Sequence, residues 1–123
     1  MIADIALIVA SWHPADSGLN QVNPGAIMGI SQPWDHGIEI YAGVGGYRDS
    51  YRQMSAMYGG GLRMGSRSLG LDCAFVHVTG SRLGAYPIIP VPSFYAGTSG
   101  AVVSVSLIGR AICVSCRTTL WEF

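Results

Sequence analysis

Hydrophobic residues in this chain recur at every second position, in short runs broken by turn residues, and nowhere at sustained helical spacing. Over 38–47, Ile38, Ile40, Ala42 and Val44 fall on one face of an extended segment, and Glu39, Tyr41, Gly43, Gly45 and Tyr47 on the other. Ala101, Val103, Val105 and Leu107 oppose Ser104 and Ser106; Val114 and Leu120 oppose Ser115, Arg117 and Thr119. A period of two is the mark of β-strands. Gly, Pro, Asn and Ser at the breaks divide the chain into segments at about 2–12, 24–33, 37–48, 54–65, 69–80, 85–97, 100–109 and 111–122. Most connections are short, which makes successive strands antiparallel neighbours. The expectation is one all-β domain spanning 1–123, an antiparallel up-and-down barrel of about eight strands.

Composition narrows the class. Charged residues are 11% of the chain, against about 25% in an ordinary soluble domain, and hydrophobic residues are 50%. Seven basic residues balance seven acidic ones, with no basic cluster, so the electrostatic footprint of a nucleic-acid binder is missing. No apolar run reaches the ~18 residues of a membrane-spanning helix. The opening segment has Asp4 and no basic start, so it does not read as a signal peptide. An even number of strands of about ten residues suits a membrane barrel, apolar outside and mixed inside. Trp34, Trp121 and Phe123 near strand ends would then join aromatic girdles. The same alternation fits a soluble barrel or sandwich with an apolar core.

Cysteine and histidine give little chemistry by themselves. Three cysteines set up no disulfide framework. Cys113-Val-Ser-Cys116 has redox or metal spacing, but on a strand residues three apart point to opposite faces, so the expectation is two buried or half-buried thiols. His77 reads as a packed mid-strand residue and His36 as a turn residue beside Asp35. The three histidines are scattered without carboxylate spacing, so neither a metal site nor a cofactor is expected.

Up-and-down topology makes a longer-range expectation. The first and third strands run the same way, so His13 at the end of one and Asp49-Ser50 after the other share a rim opposite the termini. A hydroxyl beside an imidazole that a carboxylate orients is the minimum for base-assisted acyl transfer. Asp-Ser is also an ordinary turn dipeptide. Tyr47, Arg48, Tyr51 and Arg52 flank the pair, and either bind phosphate or carboxylate groups of a ligand or form a solvated loop.

Particular stretches resemble a known family. Trp12-His13, Asn20 to Gly25, Gly29 to Asp35, His36 to Gly43 and Tyr47-Arg-Asp-Ser-Tyr-Arg-Gln53 resemble, in order and spacing, segments of the lipid A palmitoyltransferases. Leu69-Gly-Leu71 and Tyr86-Pro-Ile-Ile-Pro-Val-Pro92, similar to the family's proline-rich strand, continue the match, as does the aromatic C-terminus. Those outer-membrane enzymes are eight-stranded barrels that move an acyl chain, usually palmitate, from a phospholipid to lipid A. The resemblance implies His13, Asp49 and Ser50 as the catalytic set, with phospholipid and a lipid A-like acceptor as partners. It also places the residue that limits chain length at Gly61, beside Tyr58 in the low-bulk run Tyr58-Gly-Gly-Gly-Leu62. The bland reading of these glycines is strand bulges or flexibility. Pro87, Pro90 and Pro92 lack N–H donors, so the hydrogen-bond ladder beside them must have gaps. In a closed barrel such gaps open a lateral door for a lipid tail, as the resembled enzymes are thought to use; in a sandwich the same prolines mark an edge strand.

The expected departures from the family are a short first rim loop and, on this reading of the sequence, the lack of the amphipathic helix before the barrel and of a leader. Two other expectations therefore stand beside the acyltransferase. One is a compact, phage-type cytoplasmic barrel that binds a small ligand at the same rim. The other is a structural protein that keeps only the fold.

Overall fold

The computed structural model describes residues 1–12, 22–48, 54–79, 88–109 and 111–123. They form a closed barrel of eight antiparallel strands, each paired with the next in sequence and the last with the first. The strands are β1 (Ile2–Trp12), β2 (Val22–Asp35), β3 (Ile38–Arg48), β4 (Met54–Gly65), β5 (Leu69–Thr79), β6 (Ile89–Gly97), β7 (Ala101–Ile108) and β8 (Ala111–Glu122). The expected fold class and strand order are those observed. β2 is longer than expected at both ends, because Pro33 is accommodated at a register shift between Pro33 and Asp35 and the strand runs on into the turn. β6 begins at Ile89, after a bend at Ile88; the earlier part of its expected span, 85–87, lies outside the described residues.

Both termini lie at one end, here the lower. Met1 N donates to Phe123 O at 2.7 Å, and Phe123 N to Met1 O at 2.9 Å, clasping the closing seam. The lower connections are tight. His36 (φ 44°) and Gly37 (φ 79°) make a two-residue turn with both residues left-handed, the turn whose twist suits a hairpin. At the next lower turn Ser66 Oγ accepts from the backbone N–H groups of Ser68 and Leu69 at 3.2 and 3.1 Å. Arg67 from that turn reaches Glu122 in a two-pronged pair of 2.6 and 3.0 Å. Glu122 in turn raises the Arg67 guanidinium further above its ordinary value, by hydrogen bond first and charge second.

Alternation decides what faces where. On β3 the Glu39, Tyr41 and Tyr47 positions point inward, while Ile40 and Val44 point outward, 43% and 61% exposed. The same holds on β7, with Ser104 and Ser106 inside and Val103 and Val105 outside, and on β8, with Arg117 inside and Leu120 outside. The apolar face is therefore the outer one. Leu7, Met28, Leu62, Leu71, Phe75 and Phe94 extend it around the barrel. Among the described residues, charged side chains occur only in the lumen or at the strand ends and lower turns. Trp34 and Trp121, 67% and 70% exposed, flank the lower end of the belt.

The lumen has two halves. The upper half is mainly apolar: Ile8, Met57, Val76, Val78, Ile89 and Val91 pack together with Cys113, and Tyr47 and Ile108 lean on them, with Ser55 buried nearer the rim. The lower half is polar, with Asp4, Ser31 and Arg63 buried. Tyr41 joins the two, its ring against the apolar cluster and its hydroxyl donating to Asp72.

Candidate functional site

The upper rim is where the chemistry-bearing residues were expected. β1 and β3 run parallel to one another on either side of β2 and end at this rim, at Trp12 and Arg48. The register puts Ile8, Gly25 and Tyr47 on one row across the three strands. Gly25 is needed there, since a Cβ at 25 would overlap the Tyr47 side chain. His13, Asp49, Ser50, Tyr51 and Arg52, and Pro87 of the proline run, lie outside the described residues.

The other expected ligand-binding residues are placed, and not all face one space. Tyr47 points inward against the upper apolar cluster. Arg48 is exposed at the rim. Tyr58 points outward, 55% exposed, with its ring centroid 5.2 Å from that of His77 on β5. It therefore does not line the lumen, because it stands one residue out of phase with inward Met57 and Gly59. Gly61 is on the inner face, two residues from Arg63, at the level where the apolar half meets the charged half. A Cβ at Gly61 would overlap the Cys73 carbonyl oxygen, so close approach of β4 and β5 by itself requires glycine there. Of the cysteine pair, Cys113 is buried and Cys116 exposed, on opposite faces of β8. The expected half-burial of the second thiol is corrected: its face is the outer one.

The wall beside the upper half-lumen is open on one side. The β5–β6 ladder starts at the first residue of β6, with Val76 opposite Ile89. The β6–β7 ladder starts four residues later, with Ser93 opposite Ser106, and runs to Gly97 opposite Val102. Ile89 to Pro92 of β6 and Leu107 and Ile108 of β7 have no ladder partners across that seam. Successive residues of a strand aim their N–H groups at alternate neighbours, so Pro90 and Pro92 disarm the same edge of β6. The intact β5 side identifies that edge as the one toward β7. Ile89 and Val91 point into the lumen at this gap, and Pro90 and Pro92 point outward.

Below the apolar half, Arg63 closes the lumen. Its Nη1 donates to Glu39 at 2.6 Å and approaches Asp4 at 3.4 Å, and its Nε meets Asp72 at 3.3 Å. The guanidinium also lies over the Tyr41 ring, 4.2 Å from the centroid. A planar fork with five donors suits this crossroads as an ammonium would not. Arg117 lies over the Tyr95 ring at 5.1 Å, and Tyr95 donates to the Ser66 carbonyl at 2.7 Å. Beneath this layer a cavity of about 510 Å³ opens to the lower mouth. Sequence reading missed the cluster. Glu39 and Arg117 were on recognisably less apolar faces, but Asp4, Arg63 and Asp72 meet them only across the lumen. The signal that was present is parity: Glu39, Arg63, Asp72 and Arg117 each sit on the less apolar face of a strand.

Together these features make an apolar packed upper half-lumen with a charged layer beneath it and an incomplete ladder in the wall beside it. Among the described residues no group of histidine, cysteine and carboxylate side chains is arranged to hold a metal ion. No protein-family model matches the chain, and no curated protein does.

Proposed function

We propose that the protein is a membrane-embedded acyltransferase similar to the lipid A palmitoyltransferases, moving a fatty acyl chain from a phospholipid to a lipid hydroxyl in an outer membrane. The observation that carries the reading is the ladder gap between β6 and β7, which lies beside the apolar half of the lumen in a barrel whose outer face is itself apolar. A belt of this kind in water would be far larger than the few hundred Å² of contiguous apolar surface that monomeric soluble proteins expose. The strands run from 8 to 14 residues, and five of the eight have 11 or 12; at a tilt of about 40° such strands rise roughly 25–30 Å, close to the height of a barrel's hydrocarbon-facing band. Tight turns at the lower end, with three of the four upper connections longer, also match the habit of such barrels.

In this reading the donor's acyl chain enters through the lateral gap and lies against Ile89, Val91 and Met57, with its ester at the upper rim. His13 takes the proton of the acceptor hydroxyl as that oxygen attacks the ester carbonyl. Asp49 orients the imidazole, and Ser50 supplies a hydroxyl at the reacting centre. The proton then passes to the departing lysophospholipid oxygen, so the ester is exchanged without metal or cofactor.

The test is lipid mass spectrometry of outer membranes from cells expressing the wild type, His13→Ala or Ser50→Ala. The expected result is an acceptor lipid heavier by one acyl chain in the wild type, reduced at least a hundredfold in His13→Ala, the size of a general-base contribution. A wild type that is folded in the membrane and yields no acylated lipid contradicts the proposal. Full activity in both variants contradicts the residue assignment.

A further inference from the structure

Asp4 and Ser31 are buried in the lower lumen with their hydrogen bonding incomplete. Ser31 is 3% exposed, and its Oγ has no hydrogen-bond partner among the described residues. Asp4 is 7% exposed, and its polar contact is the 3.4 Å approach of Arg63 Nη1, longer than the 2.7–3.2 Å of a good N–H···O bond. A carboxylate offers about four lone-pair sites and a hydroxyl two more. Apart from the Ser31 O–H itself, what this corner lacks among the described residues is a donor at good hydrogen-bond distance from Asp4 and Ser31.

The register brings the two side chains together. Asp4 on β1 is opposite Gly29 on β2, and Ser31 is two residues further along β2 on the same inner face. The Asp4 carboxylate lies over Gly29, where an added Cβ would stand 2.7 Å from Oδ1. On the other side of β2, Ser31 is opposite Tyr41, which puts Glu39 one diagonal away. Asp4, Ser31 and Glu39 all line the cavity of about 510 Å³ that opens at the lower mouth.

Charge points the same way. Among the described residues the lumen holds the carboxylates of Asp4, Glu39 and Asp72 and the guanidiniums of Arg63 and Arg117. The formal excess is one negative charge. Arg63 is shared among all three carboxylates, while Arg117 lies over Tyr95 and makes no ion pair among the described residues. A buried charge without a full complement of partners is costly. An anion would add to the excess. A divalent metal ion would need a convergent set of donors, and among the described residues none is present.

We propose that the lower lumen is a binding site for a primary ammonium group, which enters from the lower mouth and donates to Asp4 Oδ1 and Ser31 Oγ while cancelling the excess charge. Its source is a small free amine or the ammonium of an ethanolamine lipid headgroup. This inference stands on the lower cavity alone and is independent of acyl transfer at the opposite rim.

The experiment is an amide NMR titration of the folded full chain in uncharged detergent micelles. Ethanolammonium chloride is the probe, and tetramethylammonium chloride, which has no N–H donor, keeps ionic strength constant. A second arm adds phosphatidylethanolamine to the micelles. Saturable shifts at Gly29 and Ser31 with free ethanolammonium support the proposal with a free amine as ligand. Saturable shifts only in the lipid arm support it with the headgroup as ligand. Asp4→Asn is expected to weaken binding at least tenfold and Ser31→Ala several-fold, the latter keeping the test alive if the former fails to fold. Non-saturating shifts in both arms, an equal response to tetramethylammonium, or unchanged binding in folded Asp4→Asn or Ser31→Ala would overturn the proposal.

Discussion

Arg63 carries more of the lower lumen than any other side chain. Its guanidinium reaches three carboxylates from three different strands, so it holds β1, β3 and β5 to β4 through the interior as well as through the sheet. Truncation would leave those charges facing one another in a confined space. Breaking a buried ion pair from one side typically costs about 3–5 kcal/mol. Arg63→Met is expected to lose stability of that order in urea unfolding from detergent, whereas Tyr41→Phe, which removes one bond to Asp72, should lose about 1.5–3 kcal/mol. On the outside the sign of tolerance reverses. Val44 is mid-strand and 61% exposed, a position where a charge in a water-facing sheet would be nearly neutral. Facing hydrocarbon, Val44→Arg is expected to cost about 2–4 kcal/mol in folding into bilayers, measured as a shift of the urea midpoint against the wild type. Residue identity thus matters through facing, and facing was legible: the alternation in 38–47 sorted Glu39 and Tyr41 from Ile40 and Val44 before any coordinates. What alternation does not encode is which face is the inner one. That depends on how tightly the sheet closes, a property of all eight strands together.

β6 is the element on which the proposed function turns. Its two prolines leave the β5 ladder intact and remove donors from the other edge, and β7 correspondingly pairs with it only from Ser106 toward Ala101's end of the strand. Hydrogen exchange should read this directly. The amides of Val103 to Val105 are expected to be protected, and Leu107 and Ile108 to exchange faster wherever they rely on the β6 edge rather than on β8. Pro90→Ala combined with Pro92→Ala restores the donors; the expected outcome is slower exchange along upper β7 and a lower rate of acyl transfer with folding intact. Unchanged exchange would show that the gap is set by strand splay rather than by the prolines. The proline run was visible in the sequence as a gap in a ladder, because missing N–H groups are a property of residue type. Its start at Ile89 was less visible, since nothing in Tyr86 to Ile89 excludes an extended chain. The outward facing of Tyr58 was missed for a related reason. The low-bulk run around it was noticed as composition, whereas its phase relative to Met57 and Arg63 sends it outward.

For the whole molecule, paired edges all round the lower half, an apolar outer belt and, among the described residues, charges confined to the lumen and the strand ends support the proposal of a barrel embedded in lipid. The closed topology followed from eight segments with short connections, and the clasp of Met1 to Phe123 completes it. The charge cluster was not legible, because Asp4, Arg63 and Asp72 are brought together by closure of the cylinder and by no local spacing. The central claim, that the outer face meets lipid hydrocarbon, is tested most directly by diluting urea-unfolded chain into lipid vesicles and measuring the fraction that floats with them on a density gradient as a compact form of heat-modifiable gel mobility. The account predicts that most of the protein floats in that form and that without lipid or detergent it aggregates. A monodisperse, folded monomer that stays in the aqueous layer would contradict it.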